Sequence, residues 1–133
     1  MSYRILWPAM RWPDGRHIEE SSVPGHSAEF CERYTDVTEE QWANCDAVVS
    51  INDIPEEYRQ KMTKCRILVT PKVGFDNIDG KVWADMGIPL CNVPDYGTQE
   101  VADHAMALML SLMKGITFLS LIHISEPTRL AEI

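Results

Sequence analysis

Two stretches of the 133-residue chain combine residue types that could grip an acid group. The first is Thr70-Pro71-Lys72-Val73-Gly74-Phe75-Asp76-Asn77-Ile78-Asp79. Gly74 has no side chain, so main chain can approach a ligand closely, and successive N–H groups in such a turn form an anion cradle. Lys72 adds positive charge to an otherwise acidic chain. The second stretch, Asn92-Val93-Pro94-Asp95-Tyr96-Gly97-Thr98, leads into the strongest helical pattern, whose amino-terminal dipole also favours an anion. Both stretches can equally be read as plain structure. Gly74, Asn77 and Asp79 are common turn and cap residues, and Pro94-Asp95-Tyr96-Gly97 is a common turn. His104 lies within a strong helical pattern, where packing or exposure explains it more readily than catalysis. His17 and His26 fall in loops without a partner. Met106, Met109 and Met113 read as core or interface filler rather than a cofactor box. No Gly-x-Gly-x-x-Gly, P-loop, Gly-x-Ser-x-Gly or His-Glu-x-x-His is present.

The elements that would position these loops alternate. Tyr3–Trp7 is an apolar run stopped by Pro8 and reads as a strand. Residues 8–27 hold Pro8, Pro13, Gly15, Pro24 and Gly25, which is loop chemistry, with a short helical turn at His17–Ser21. Ala28–Tyr34 reads as a second strand. Thr38 caps a helix to about Asn44, with Glu39 and Glu40 facing the positive end of its dipole. Ala47–Ser50 is a third strand. Pro55 opens a helix that ends near Lys64. Arg66–Thr70 is a fourth strand, Asp79 caps a short helix closed by Gly87, and Ile88–Asn92 is a fifth strand. Thr98 caps a long last helix, in which Val101, Ala105, Leu108 and Leu112 recur at helical spacing until Lys114-Gly115. Short apolar strands without strict alternation, separated by helices, predict an α/β fold with a mostly parallel sheet. Ligands in such sheets bind beyond the carboxyl ends of the strands.

Composition narrows the function classes. With 45% hydrophobic and 24% charged residues, the chain suits one domain. It has no apolar run long enough to span a membrane and no signal-peptide pattern. A formal net charge of −8 disfavours nucleic-acid backbones. Cys31, Cys45, Cys65 and Cys91 show no zinc-type spacing and no disulfide framework, so no metal and a cytoplasmic setting are expected. Leu119–Arg129 back-translates, codon for codon, to a transposase-type sequencing adapter. Residues 119–133 are therefore expected to be a non-native tail, with the gene cut near Phe118.

Three linked motifs carry a family resemblance. Val73-Gly74-Phe75-Asp76-Asn77-Ile78-Asp79, then Gly87-Ile88-Pro89-Leu90-Cys91-Asn92-Val93-Pro94, then Val101-Ala102-Asp103-His104-Ala105 resemble, in order and spacing, the D-isomer-specific 2-hydroxyacid dehydrogenases. The resemblance covers most of residues 3–118 and is sharpest from Ile67 to Gly115. The Cys91–Pro94 and Phe75–Asp79 runs lean toward the branch containing the C-terminal binding proteins and phosphoglycerate dehydrogenases.

The resemblance implies a flavodoxin-like substrate domain, a parallel sheet flanked by helices, interrupted by a Rossmann domain that binds NAD or NADP. It implies hydride transfer between nicotinamide C4 and C2 of a small 2-keto or D-2-hydroxy acid, with a histidine–glutamate pair and an arginine that follow this segment in the family. Residues 1–97 would be the amino-terminal part of the substrate domain, and 98–118 the helix leading into a missing coenzyme domain. Val73 and Gly74 match the loop whose amides hold the substrate carboxylate, and Tyr96 lines the cleft. Val73 and Val101 match positions near the cofactor. His104 does not match the catalytic histidine, so no catalytic residue is assigned. The segment alone is expected to be inactive and to bind no cofactor tightly, and the full-length protein to be a homodimer. An NAD(H)-sensing regulatory protein resembling the C-terminal binding proteins is the alternative. Where the family often has Arg-x-Gly-x-Gly, this chain has Thr70 and Lys72, a point charge in place of a fork. That departure bears on substrate identity rather than on the fold.

Overall fold

The five apolar runs all become strands. The computed structural model describes residues 1–10 and 16–125, with side chains as far as residue 120. Residues 11–15, part of the stretch whose composition reads as loop, and residues 126–133 of the adapter-like tail lie outside the described residues. Strands β1 (Arg4–Trp7), β2 (Ser27–Phe30), β3 (Ala47–Val49), β4 (Ile67–Thr70) and β5 (Leu90–Asn92) form one sheet in the order β2-β1-β3-β4-β5. Every neighbouring pair is parallel. This is the flavodoxin-like order, on the α/β plan expected from the sequence. Leu6, Val48, Leu68 and Leu90 stand in one register row across four strands. The first three are fully buried, so this row forms the floor of the core.

The connections between strands supply the rest of the core. Helices α1 (Arg16–Ser22), α2 (Glu39–Asn44), α3 (Glu56–Arg59) and α4 (Gly80–Asp85) separate successive strands. Trp42 of α2 and Trp83 of α4 are completely buried, with Ile54, Met62, Ile78 and Ile88 in the same cluster. Truncating a buried tryptophan in such a core costs about 3–5 kcal/mol. Helix α2 begins as expected: the Thr38 hydroxyl accepts from the Gln41 N–H at 3.2 Å, while Gln41 Oε1 accepts from the Thr38 N–H at 2.9 Å. That reciprocal box satisfies two otherwise orphaned donors.

Several element boundaries differ from the sequence reading, among them the start of β5 at Leu90 rather than Ile88, and three have a visible cause. β2 stops at Phe30 rather than Tyr34, because Tyr34 opens a 3₁₀ turn (Tyr34–Asp36) and stacks toward Trp42 and Tyr58. Helix α3 ends at Arg59 rather than near Lys64. Its continuation tightens into i→i−3 bonds, Lys61 N–H to Tyr58 O and Met62 N–H to Arg59 O, both 3.1 Å. Thr98 does not cap the long helix α5 (Thr98–Lys114). Gly97 holds that position, its carbonyl accepting from the Val101 N–H at 3.0 Å, so Thr98 is already helical.

The chain divides into two units, one from Met1 to Pro94 and one from Asp95 onward. The second contains α5 and α6 (Ile116–Ser125). Gly115 separates them with φ +62°, the left-handed conformation that glycine adopts without penalty. Val101, Leu108 and Leu112 of the apolar stripe are exposed, as are Met106, Met109 and Met113. Among the described residues no helix is long and apolar enough to cross a membrane.

Candidate functional site

Strand order sets the site. The chain winds outward in opposite directions from β1 and β3, so a crevice opens beyond their carboxyl ends. A cleft of about 470 Å³ lies there, lined by Ala9, Glu32, Arg33, Tyr34, Ser50, Ile51 and Asn52. A second cavity of about 220 Å³ shares Ala9, Ser50 and Ile51 and reaches Trp7, Met10 and Pro71. Ser50 is nearly inaccessible; its hydroxyl donates to Asn52 O at 2.7 Å and lies 3.3 Å from the Tyr34 hydroxyl.

The Lys72–Asp79 loop adjoins this crevice and is tied down on both sides. On one side Asn77 Nδ2 donates to Ile51 O and to Asn52 Oδ1, each at 3.2 Å, and the Lys72 ammonium donates to Asn77 Oδ1. On the other, Asn92 Nδ2 donates to Val73 O at 2.7 Å and the Val93 N–H to Lys72 O at 3.2 Å. Ile78 buries its side chain, and its N–H reaches Phe75 O at 2.9 Å. Asp79 closes the loop as the expected cap, its carboxylate accepting from the N–H groups of Lys81 and Val82.

Behind the loop stands Asp53. Oδ1 accepts from the Trp83 indole N–H at 2.9 Å and from the Ile54 N–H at 2.9 Å. Oδ2 accepts from Arg59 Nη1 at 3.2 Å and from the Asp79 N–H at 3.5 Å. One carboxylate thus joins the ends of β3 and of the loop to helices α3 and α4.

Five successive main-chain donors, the N–H groups of Val73 to Asn77, have no acceptor among the described residues. No described residue accepts from the N–H of Val73 or Gly74, and both residues are exposed. Gly74 does not have positive φ. A Cβ built on it would meet only Asp76 Oδ2, at an ordinary 3.7 Å. Neither backbone conformation nor packing among the described residues requires glycine here, and the missing side chain leaves the main chain open to close approach. Adjacent N–H groups without an acceptor in an exposed turn suit a carboxylate. Lys72 is the basic residue of the loop and Asp76 its competing negative charge.

The other candidates fall in the second unit. Tyr96 and Val101 are both exposed there. His104 is exposed on α5. Among the described residues no cluster of His, Cys, Asp and Glu could hold a metal ion. The sequence reading missed Ser50, Ile51, Asn52 and Asp53. Their only advance signal was position after an apolar strand, since the strand order that makes that position a crevice is invisible in one sequence.

Comparison with known proteins agrees with this fold. The model of the "D-isomer specific 2-hydroxyacid dehydrogenase, catalytic domain" family matches residues 14–128. A glyoxylate reductase of Korarchaeum cryptofilum is 35% identical over 79 residues, which are 58% of this chain and 24% of that protein. A crystal structure of an NADPH-dependent glyoxylate/hydroxypyruvate reductase from Sinorhizobium meliloti with citrate superposes with TM-score 0.72 at 25% identity. It covers 94% of this chain and 40% of that one. The same enzyme with NADP and malonate gives TM-score 0.69 at 26% identity, over 95% and 40% of the two chains. The chain thus spans about a quarter of the curated relative's length and two fifths of the solved chains.

Proposed function

Because the chain belongs to the D-isomer-specific 2-hydroxyacid dehydrogenases, we propose that it is the amino-terminal part of the substrate domain of an NAD(P)-dependent oxidoreductase acting on a 2-keto or D-2-hydroxy acid. The observation that carries this reading is the pair of unengaged N–H groups at the exposed residues Val73 and Gly74, on a loop held in place by Asn77 and Asn92. They hold the substrate carboxylate, with the Lys72 charge nearby. The carbonyl or hydroxyl carbon then projects toward the crevice beyond β3, and Tyr96 is a further substrate-binding residue by its match to the family pattern. Val73 and Val101, each an exposed apolar residue, are the cofactor-binding positions on this reading. The bound coenzyme supplies or accepts the hydride. Nothing in the sequence is a glycine-rich dinucleotide turn, so these two contacts alone hold no coenzyme tightly. No residue of this chain is assigned the role of the family's arginine or of its histidine–glutamate pair.

The full-length protein is a homodimer on this reading, and the 133-residue chain is catalytically inert because hydride transfer requires the two reactants to be held together. The test is steady-state oxidation of NADH and NADPH by the protein encoded at the uninterrupted locus, offered glyoxylate, hydroxypyruvate and pyruvate. Saturable turnover is expected with at least one of them, and none with the 133-residue chain. A folded full-length protein that binds NADH yet reduces no 2-oxo acid would favour the regulatory alternative. Turnover by the 133-residue chain itself would refute the division of the site proposed here.

A further inference from the structure

Two of the four cysteines stand opposite each other where β3 and β4 begin. The segments leading into these strands run side by side at a constant offset of 20 residues. Thr63 Oγ1 donates to Ala43 O at 3.1 Å, and Lys64 Nζ to Asn44 Oδ1 at 2.6 Å. The Arg66 N–H donates to Asp46 O at 2.9 Å, and Ala47 faces Ile67. The position left between these contacts pairs Cys45 with Cys65. Neighbouring strands lie about 4.8 Å apart, within the Cα separation of roughly 4.4–6.8 Å that a disulfide spans without backbone movement. Cys31, which follows β2, and Cys91, in β5, belong to opposite edges of the sheet.

The pair is also unequal. Cys45 is buried and its Sγ donates to Trp42 O at 3.3 Å, whereas Cys65 is half-buried. The neighbouring Cys45 thiol pulls the pKa of Cys65 down, while the same contact together with burial pushes that of Cys45 up. Cys65 is therefore the nucleophile and Cys45 the resolving thiol.

We propose that Cys45 and Cys65 form a dithiol modification site that a hydroperoxide converts to an intramolecular disulfide. In the first step the Cys65 thiolate attacks the peroxide, an S–O bond forms, the O–O bond breaks, and Cys65 becomes a sulfenic acid with loss of water or alcohol. In the second, the Cys45 sulfur attacks the Cys65 sulfur, the S–S bond forms, the S–O bond breaks and water leaves. Two thiols are oxidised by two electrons and one peroxide is reduced. The bond links the amino ends of β3 and β4, whose carboxyl ends carry Asn52 and the Lys72–Asp79 loop. It also encloses α3 and Asp53, and it restrains the denatured chain.

The test uses the full 133-residue chain, reduced and then exposed to stoichiometric hydrogen peroxide, with remaining thiols blocked by N-ethylmaleimide before digestion and mass spectrometry. The expected result is a Cys45–Cys65 linked peptide, a fall in blockable thiols from four to two, and reversal by dithiothreitol. Cys45→Ala should abolish the link and leave a sulfenic acid on Cys65 that dimedone traps. Cys65→Ser, a near-isosteric change at a half-buried position, should abolish both products while the far-ultraviolet circular dichroism is kept. Links that involve Cys31 or Cys91, a Cys65 that proceeds to sulfinic acid with Cys45 still reduced, or an unchanged thiol count would overturn the proposal.

Discussion

Asp53→Ala should destabilise the first unit by about 2–4 kcal/mol, because it strands buried partners as well as removing bonds. The Trp83 indole is completely inaccessible and its N–H depends on Asp53 Oδ1. The Arg59 side chain is only 13% exposed and is ion-paired to Oδ2. Losing such an acceptor costs more than the bond was worth, since the donor remains dry and unpaired. Asp53→Asn keeps an oxygen for the indole and the Ile54 N–H but drops the charge facing Arg59, so it should lose less. Urea unfolding followed by tryptophan fluorescence distinguishes the two, with the midpoint falling at unchanged slope. An Asp53→Ala midpoint equal to that of the parent would show that the carboxylate is not the joint described here.

Gly74→Val should do the reverse, sparing the fold and damaging function. The space beside Gly74 is open and its φ is not in the left-handed region, so the stability change should stay under about 1 kcal/mol. A branched side chain would nonetheless stand where the carboxylate approaches the two N–H groups. Hydrogen bonds to a charged partner are worth about 1.5–3 kcal/mol each, so blocking both should lower kcat/KM for the 2-oxo acid at least about 100-fold in the full-length enzyme. Gly74→Ala should fall between the two. Unchanged kinetics in a folded Gly74→Val enzyme would remove the loop from the substrate site.

Much of this was legible in the residues themselves, and the rest was not for definable reasons. Cap and turn signals are local: Thr38, Asp79, Gly87 and Gly115 behave as their types and neighbours dictate. The Lys72–Asp79 loop was also readable, since an apolar strand followed by Gly74 and a capping aspartate is a contiguous pattern. The partners that pin it were not. Asn77 meets Ile51 and Asn52, and Asp53 meets Trp83, across separations of 25 to 30 residues. Such pairings depend on which strands become neighbours. The same ignorance hid the crevice at Ser50–Asn52. The short reach of α3 and the demotion of Thr98 from cap to first helical residue are end effects, decided by one or two hydrogen bonds that propensity does not resolve.

The most direct measurement of the central claim is a crystal structure of the full-length protein with coenzyme and oxamate, an unreactive 2-oxo acid mimic. Its carboxylate should accept from the main-chain N–H of both Val73 and Gly74 at about 2.9 Å. Oxamate bound elsewhere, with those two N–H groups still unpaired, would contradict the account.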